Sequence, residues 1–135
     1  MLFEHIALNI RYPLDVCNWY VMNLGMKIIR QQNEAPFITF LGDSAGRICL
    51  EIYFNNREQI INFWDISPFQ MHIAFAVDSL DELKEKLIEK NVILEVEKQD
   101  EMGRLCIFRD PWGIPIQFVE RKVKLIVEPT ITSFS

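Results

Sequence analysis

Phe3-Glu4-His5-Ile6-Ala7-Leu8-Asn9-Ile10 and Met71-His72-Ile73-Ala74-Phe75-Ala76-Val77 share the tripeptide His-Ile-Ala at an offset of 67 (position 72 against position 5). Self-similarity at a fixed period marks a duplicated structural unit. The offset persists along the chain. Leu14-Asp15 and Leu80-Asp81 stand 66 apart (80 against 14), and each opens an amphipathic stretch of about ten residues. Asn9 or Asp15 is the candidate cap of the first helix, and Asp78 or Ser79 of the second. Gly25 and Asn91, again 66 apart (91 against 25), close the two stretches. They are the two residue types that tolerate a left-handed C-cap.

A strand is expected next in each half, over 26–30 and 92–97. Two further strands around a turn follow, 37–41 with 48–54 and 104–108 with 114–120. Asp43 and Asp110, like Gly46 and Gly113, are 67 apart (110 against 43, 113 against 46). In Asp110-Pro111-Trp112-Gly113 the proline presets φ and the glycine supplies positive φ. Each half therefore reads β-α-β-β-β, and the sheet face such a module exposes must be covered by its twin. The expected fold is α+β, two paired βαβββ modules: 1–55, a linker 56–70, 71–121 and a C-terminal tail 122–135. The linker carries Phe63, Trp64 and Phe69, too apolar for a loose tether, so it is expected to pack as a short helix or ordered loop. The tail, with Leu125, Ile126, Val127 and Ile131, is expected to add an edge strand, clasp a partner subunit or stay loosely held.

The whole chain is 135 residues and 16.0 kDa, one domain or two half-domains sharing a core. Half of it is hydrophobic and 24% charged, which excludes a disordered tail protein. No apolar run reaches the ~18 residues of a membrane span, and the start lacks the basic and apolar regions of a signal peptide. A cytoplasmic protein without membrane partners is expected. The net charge is −5 and the pI about 5.0, with basic residues scattered apart from Arg121, Lys122 and Lys124. That argues against a nucleic-acid partner, which needs a basic face. Cys17, Cys49 and Cys106 are odd in number, far apart and without zinc spacing, which suits a reducing compartment. They read as small core residues, a nucleophilic thiol being the lesser reading.

Alternation along the strands sorts the side chains. Ile6, Leu8 and Ile10, and Met71, Ile73, Phe75 and Val77, form the sets expected under the helices. His5, Ala7 and Asn9, and His72, Ala74 and Ala76, face the other way. Over 47–54 the core set is Ile48, Leu50, Ile52 and Phe54, opposite Cys49, Glu51 and Tyr53. Over 114–119 it is Ile114, Ile116 and Phe118, opposite Pro115, Gln117 and Val119. Each half thus offers one histidine and one carboxylate or amide on the side away from its helix: His5 with Glu51, His72 with Gln117. The separations are similar, 46 (51 against 5) and 45 (117 against 72), and the chain has only these two histidines. Imidazole with carboxylate oxygen suits a divalent Zn, Ni, Mn, Co or Fe, and a catalytic ion would keep open positions for water or substrate.

At these residues the sequence resembles the vicinal oxygen chelate superfamily, which includes glyoxalase I, methylmalonyl-CoA epimerase, extradiol dioxygenases and the fosfomycin- and bleomycin-resistance proteins. The resemblance covers residues 3–121. It is carried by Glu4-His5-Ile6-Ala7, Trp19-Tyr20 before Leu24-Gly25-Met26, Leu50-Glu51-Ile52-Tyr53, His72-Ile73-Ala74-Phe75, and Phe108-Arg109-Asp110-Pro111-Trp112-Gly113 leading to Ile116-Gln117-Phe118-Val119-Glu120. It implies that the paired modules form a half-open, glyoxalase-like barrel around a metal, with His5, Glu51, His72 and Gln117 at the ligand positions, in a homodimer. Gln117 departs from the family pattern, where Glu is usual. Glu120 does not replace it, since three residues along a strand point to the other face unless a bulge intervenes. Members that rely on a two-His, one-Glu triad are thereby disfavoured, and glyoxalase- and epimerase-type members, which use all four positions, are favoured by Glu51.

The implied activity is a divalent-metal-dependent lyase or isomerase acting on a small substrate with vicinal oxygens through an enediolate. Glu51 would double as ligand and general base. The alternative is a metal-free small-molecule-binding module like the bleomycin-resistance proteins, in which Tyr53, Trp64 and Trp112 stack on a flat ligand. Those aromatics also read as core or dimer contacts, and a third reading is a dimeric protein whose cup has decayed. No phosphate-binding glycine loop is visible, because Gly42 and Gly46 belong to a hairpin turn.

Overall fold

The computed structural model describes residues 1–126, apart from the side chains of Ile48 and Cys49. The chain divides into two compact units, Met1–Asn62 and Phe63–Ser135. The first holds β1 (Ile6–Asn9), α1 (Pro13–Leu24), β2 (Lys27–Gln31), β3 (Thr39–Gly42) and β4 (Ile48–Tyr53). The second holds β5 (Ile73–Ala76), α2 (Leu80–Leu87), β6 (Ile93–Asp100), β7 (Gly103–Arg109) and β8 (Pro115–Arg121). Each has one four-stranded sheet, ordered β1-β4-β3-β2 and β5-β8-β7-β6. The first strand of each pairs parallel with the last, and the remaining pairs are antiparallel. This is the βαβββ module expected twice.

The duplication extends to register. Ala7 stands opposite Glu51 and Ala74 opposite Gln117. His5 and His72 each lie two residues before their alanine, so both pairs occupy equivalent places in their sheets.

In the first unit α1 turns Pro13, Val16, Cys17 and Tyr20 inward, a helical three-four spacing. It rests on β2, β3 and β4, where Leu41, Leu50 and Ile52 are buried. Each such side chain contributes about 1.5–3 kcal/mol on burial. Ile6, expected in the core, is half exposed at 52%, because it begins an edge strand that lies beside the strands carrying α1. In the second unit α2 sets buried Leu80 and Leu87 over β7 and β8. Phe118 stacks on Phe75 with centroids 5.9 Å apart and meets the edge of Phe108 at 6.1 Å. Alternation holds along β5, but β8 is buried on both faces, Pro115, Gln117 and Val119 included. A strand between two neighbours is covered more fully than an edge strand, and β8 lies between β5 and β7.

The caps divide. Ser79 Oγ accepts from Glu82 N–H at 3.2 Å and caps α2. Neither Asn9 nor Asp15 caps α1. Tyr12 holds the N-cap position without a side-chain bond and Pro13 opens the helix, where its missing N–H costs nothing. Asn9 is engaged elsewhere: its Nδ2 donates to Asn55 O at 3.0 Å and its Oδ1 accepts from Asn55 N–H at 2.8 Å. Gly25 closes α1 in the left-handed conformation, φ 69°. Asn91 also has positive φ, 58°, but lies beyond the C-cap Ile88, after a further turn in which Lys90 N–H donates to Leu87 O.

The linker contains a 3-10 turn, Phe63–Asp65, with Phe63 buried and Trp64 and Phe69 exposed. Lys122 N–H donates to Met102 O, and Lys124 Nζ donates to Asp78 Oδ1. The expectations for Val127 and Ile131 lie outside the described residues. Among the described residues no helix is long and apolar enough to cross a membrane.

Cys17 and Cys106 are fully buried free thiols. Burial pushes both up to about 11, a hydrogen bond with Thr39 partly offsetting it at Cys17. Both are protonated at neutral pH, and a thiol is a poor nucleophile. Brief treatment of the native protein with iodoacetamide at pH 7.5 is expected to leave both unmodified, with labelling appearing in denaturant. Peptide mass spectrometry reads the sites, and native labelling at either would contradict the packing.

Candidate functional site

In the first unit the chain reaches His5 just before β1, and β4, parallel beside it, supplies Glu51. His5 Nε2 stands 3.5 Å from Glu51 Oε2, with both side chains mostly covered, 28% and 19% exposed. The other ring nitrogen, Nδ1, is 2.9 Å from Glu4 Oε1, and the Phe40 ring meets the imidazole edge-on at 5.3 Å. A carboxylate accepts only, so Nδ1 donates to Glu4 and Nε2 of the neutral ring carries a lone pair toward Glu51. Two lone-pair-bearing atoms face each other there. A proton on Nε2 or a shared cation satisfies them. Donors on one divalent ion with bonds of about 2.1 Å stand about 3.0–3.4 Å apart, close to the spacing seen.

In the second unit His72 precedes β5 and Gln117 lies in β8. His72 Nδ1 is 2.8 Å from the Pro68 carbonyl oxygen. A carbonyl cannot donate, so Nδ1 carries the proton and Nε2 is again the lone-pair nitrogen. Gln117 is buried at 9% exposed. Both histidines are thus anchored through Nδ1 and present Nε2, the arrangement by which outer-shell partners orient metal-binding imidazoles. The donor chemistry fits a divalent ion, half by half. Among the described residues, no group of three or more His, Cys, Asp or Glu side chains converges: the structure brings His5 together with Glu51, and it gathers no third such side chain around them.

Tyr53 ends β4 half-buried, its carbonyl accepting from Ile10 N–H at 2.8 Å. Trp112 is half-buried in the β7–β8 turn. Trp64 packs on the backbone of that turn: a Cβ on Gly113 would lie 2.6 Å from its ring.

Asp110 holds that turn together, and Arg109, which ends β7 just before it, has a role that the spacing hides. Asp110 is fully buried, and its Oδ1 accepts from Trp112 N–H at 2.9 Å and Ile114 N–H at 2.8 Å. Asp43 does the same in the first unit, accepting from Ala45 and Arg47 N–H at 3.0 Å each. Arg109 is buried at 6% exposed and spends its guanidinium on three carbonyls and one carboxylate. Its immediate neighbour, the Asp-Pro turn, was legible; the buried cation was not, since an arginine in sequence reads as surface.

Comparison with known proteins follows the same lines. The profile of the Glyoxalase/Bleomycin resistance protein/Dioxygenase superfamily matches residues 2–118. No curated protein matches the chain. Among solved structures, it is similar to TnmS3, an antibiotic binding protein from Streptomyces sp. CB03234, with TM-score 0.70 and 15% identity over 90% of this chain and 97% of that one. A glyoxalase family protein from Enterococcus faecalis gives TM-score 0.65 and 23% identity over 88% and 97%. A glyoxylase/bleomycin resistance protein/dioxygenase domain from Frankia sp. EAN1pec gives 0.66 and 19% over 90% and 98%. Duplicated βαβββ units, equivalent His-bearing registers and a profile spanning both halves agree: the chain belongs to the glyoxalase/bleomycin resistance protein/dioxygenase superfamily.

Proposed function

We propose that the protein is a divalent-metal-dependent lyase or isomerase acting on a small molecule with vicinal oxygens, and that His5, Glu51, His72 and Gln117 hold the ion. The observation that carries this is the facing pair His5 Nε2 and Glu51 Oε2 at 3.5 Å, with His72 presenting the same nitrogen from the equivalent register. When bound, Zn, Ni, Mn, Co or Fe supplies Lewis-acid stabilisation of negative charge on the substrate oxygens. His5 and His72 orient the site through their anchored rings. Glu51 Oε2 takes a proton from the carbon beside those oxygens and returns it. Gln117 has no charge to offer and binds as an amide oxygen or as a hydrogen-bond donor to substrate. Abstraction and return therefore both run through Glu51. The working form is a homodimer, as the family resemblance implies.

The second reading, a metal-free binding module, is favoured by the amide at Gln117, a weak ligand for a transition metal. It is favoured too by the likeness to TnmS3, which is described as an antibiotic binding protein. Tyr53 and Trp112 would then contact the ligand. Metal analysis of protein isolated without chelator separates the two. About one ion per chain, retained on desalting, is expected. No metal, even after incubation with Zn or Ni, overturns the first reading in favour of the second.

A further inference from the structure

We infer that Arg109 is a positioning residue for the His72 imidazole, acting through the linker backbone. The inference rests on His72 being a ligand. Arg109 Nη1 donates to Phe63 O at 2.7 Å and Gly113 O at 3.1 Å, and Nη2 donates to Ile66 O at 2.6 Å. Nε donates to Glu95 Oε2 at 2.5 Å, and Nη2 also reaches Glu95 Oε1 at 3.4 Å. The cation therefore ties the 3-10 turn at 63–65 to the end of β7, to the neighbouring strand β6 and to the β7–β8 turn. Two residues past Ile66 comes buried Pro68, whose carbonyl accepts from His72 Nδ1 at 2.8 Å.

The consequence is chemical. The segment from Phe63 to Gln70 carries a few local bonds of its own, Ile66 N–H to Phe63 O and Gln70 N–H to Ser67 O. Arg109 fixes its backbone to the sheet at Phe63 O and Ile66 O, beside the packing of Trp64 on Gly113 and of Lys98 Nζ over the Phe69 ring at 4.9 Å. Held in place, the Pro68 carbonyl keeps the proton on Nδ1 and leaves Nε2 as the free nitrogen. Released, the ring can turn, and the proton can move to Nε2, where it blocks coordination. Lysine does not replace arginine here, because one ammonium cannot span three carbonyls and a carboxylate in a fixed fork. His5 is a built-in control. Its ring is anchored by Glu4, in the other unit.

The test is nitrogen-15 NMR of both imidazoles in metal-free protein, for the native sequence and for Arg109→Lys. The native protein is expected to show His72 in the Nδ1–H form. In the variant the ratio of Nδ1–H to Nε2–H at His72 is expected to fall about fivefold, the worth of one hydrogen bond, with His5 unchanged. Zinc affinity, measured by titration, is expected to fall about 10-fold or more. If Arg109→Lys fails to fold, Glu95→Ala serves, since it strips the arginine of its counterion at an exposed position and is expected to shift His72 in the same direction. An unchanged His72 tautomer in the folded variant overturns the inference, whatever the zinc result. A tautomer shift in the variant alongside native protein that binds no metal overturns the metal-dependent reading instead.

Discussion

Glu51→Gln is expected to reduce turnover by about 100- to 10,000-fold, the range that a positioned general base contributes. The fold should survive, because the amide matches the carboxylate in size and the neighbours that hold β4, Leu50 and Ile52, point to the buried face. Glu51 is mostly covered, 19% exposed, and the neutral amide leaves no buried carboxylate to be satisfied. The suitable readout is deuterium uptake from heavy water into small compounds with adjacent carbonyl and hydroxyl oxygens, since proton abstraction precedes any net reaction. Circular dichroism and the melting temperature check the fold. The two histidines remain in the variant, so a loss of exchange greater than the loss of bound metal assigns the proton transfer to Glu51. Undiminished exchange in the folded variant would remove Glu51 as the base.

Gly113→Ala is expected to destabilise the second unit strongly, while Gly46→Ala at the equivalent turn is mild. Both glycines have positive φ, 88° and 81°, so either alanine meets the left-handed penalty of about 1–2 kcal/mol. The surroundings differ. A Cβ at Gly46 meets open space, whereas one at Gly113 would sit 2.6–2.8 Å from three atoms of the Trp64 ring. Overpacking adds about 1–3 kcal/mol, so Gly113→Ala should cost about 2–5 kcal/mol and lower the melting temperature by about 5–15 °C. Urea denaturation with tryptophan fluorescence measures both variants. Equal costs at the two turns would show that Trp64 does not rest on Gly113.

The two turns also show how far the residues speak for themselves. Asp43 and Asp110, Gly46 and Gly113 stand at one offset, and each aspartate accepts from backbone two and four residues on. Such bonds are local, so spacing alone exposes them. The same holds for the β-α-β-β-β order of elements in each half and for the Ser79 cap. What spacing hides is set by partners far along the chain. Asn9 abandons helix capping for Asn55, 46 residues away. Arg109 buries a charge because carbonyls 43 and 46 residues upstream fall within its reach. Trp64, read with Tyr53 and Trp112 as a candidate ligand contact, packs on a glycine nearly fifty positions on in the sequence (113 against 64). The candidate site divides likewise. Its residue types and equivalent registers are visible in the letters, but the Nδ1 anchors on Glu4 and Pro68, which decide which nitrogen is free, appear only in the fold.

The most direct test is a zinc titration of metal-free protein followed by nitrogen-15 NMR of His5 and His72 together. Both Nε2 resonances are expected to shift in step and to saturate at one ion per chain. Response of one imidazole alone, or saturation of the two at different zinc ratios, would contradict a single ion gripped by both.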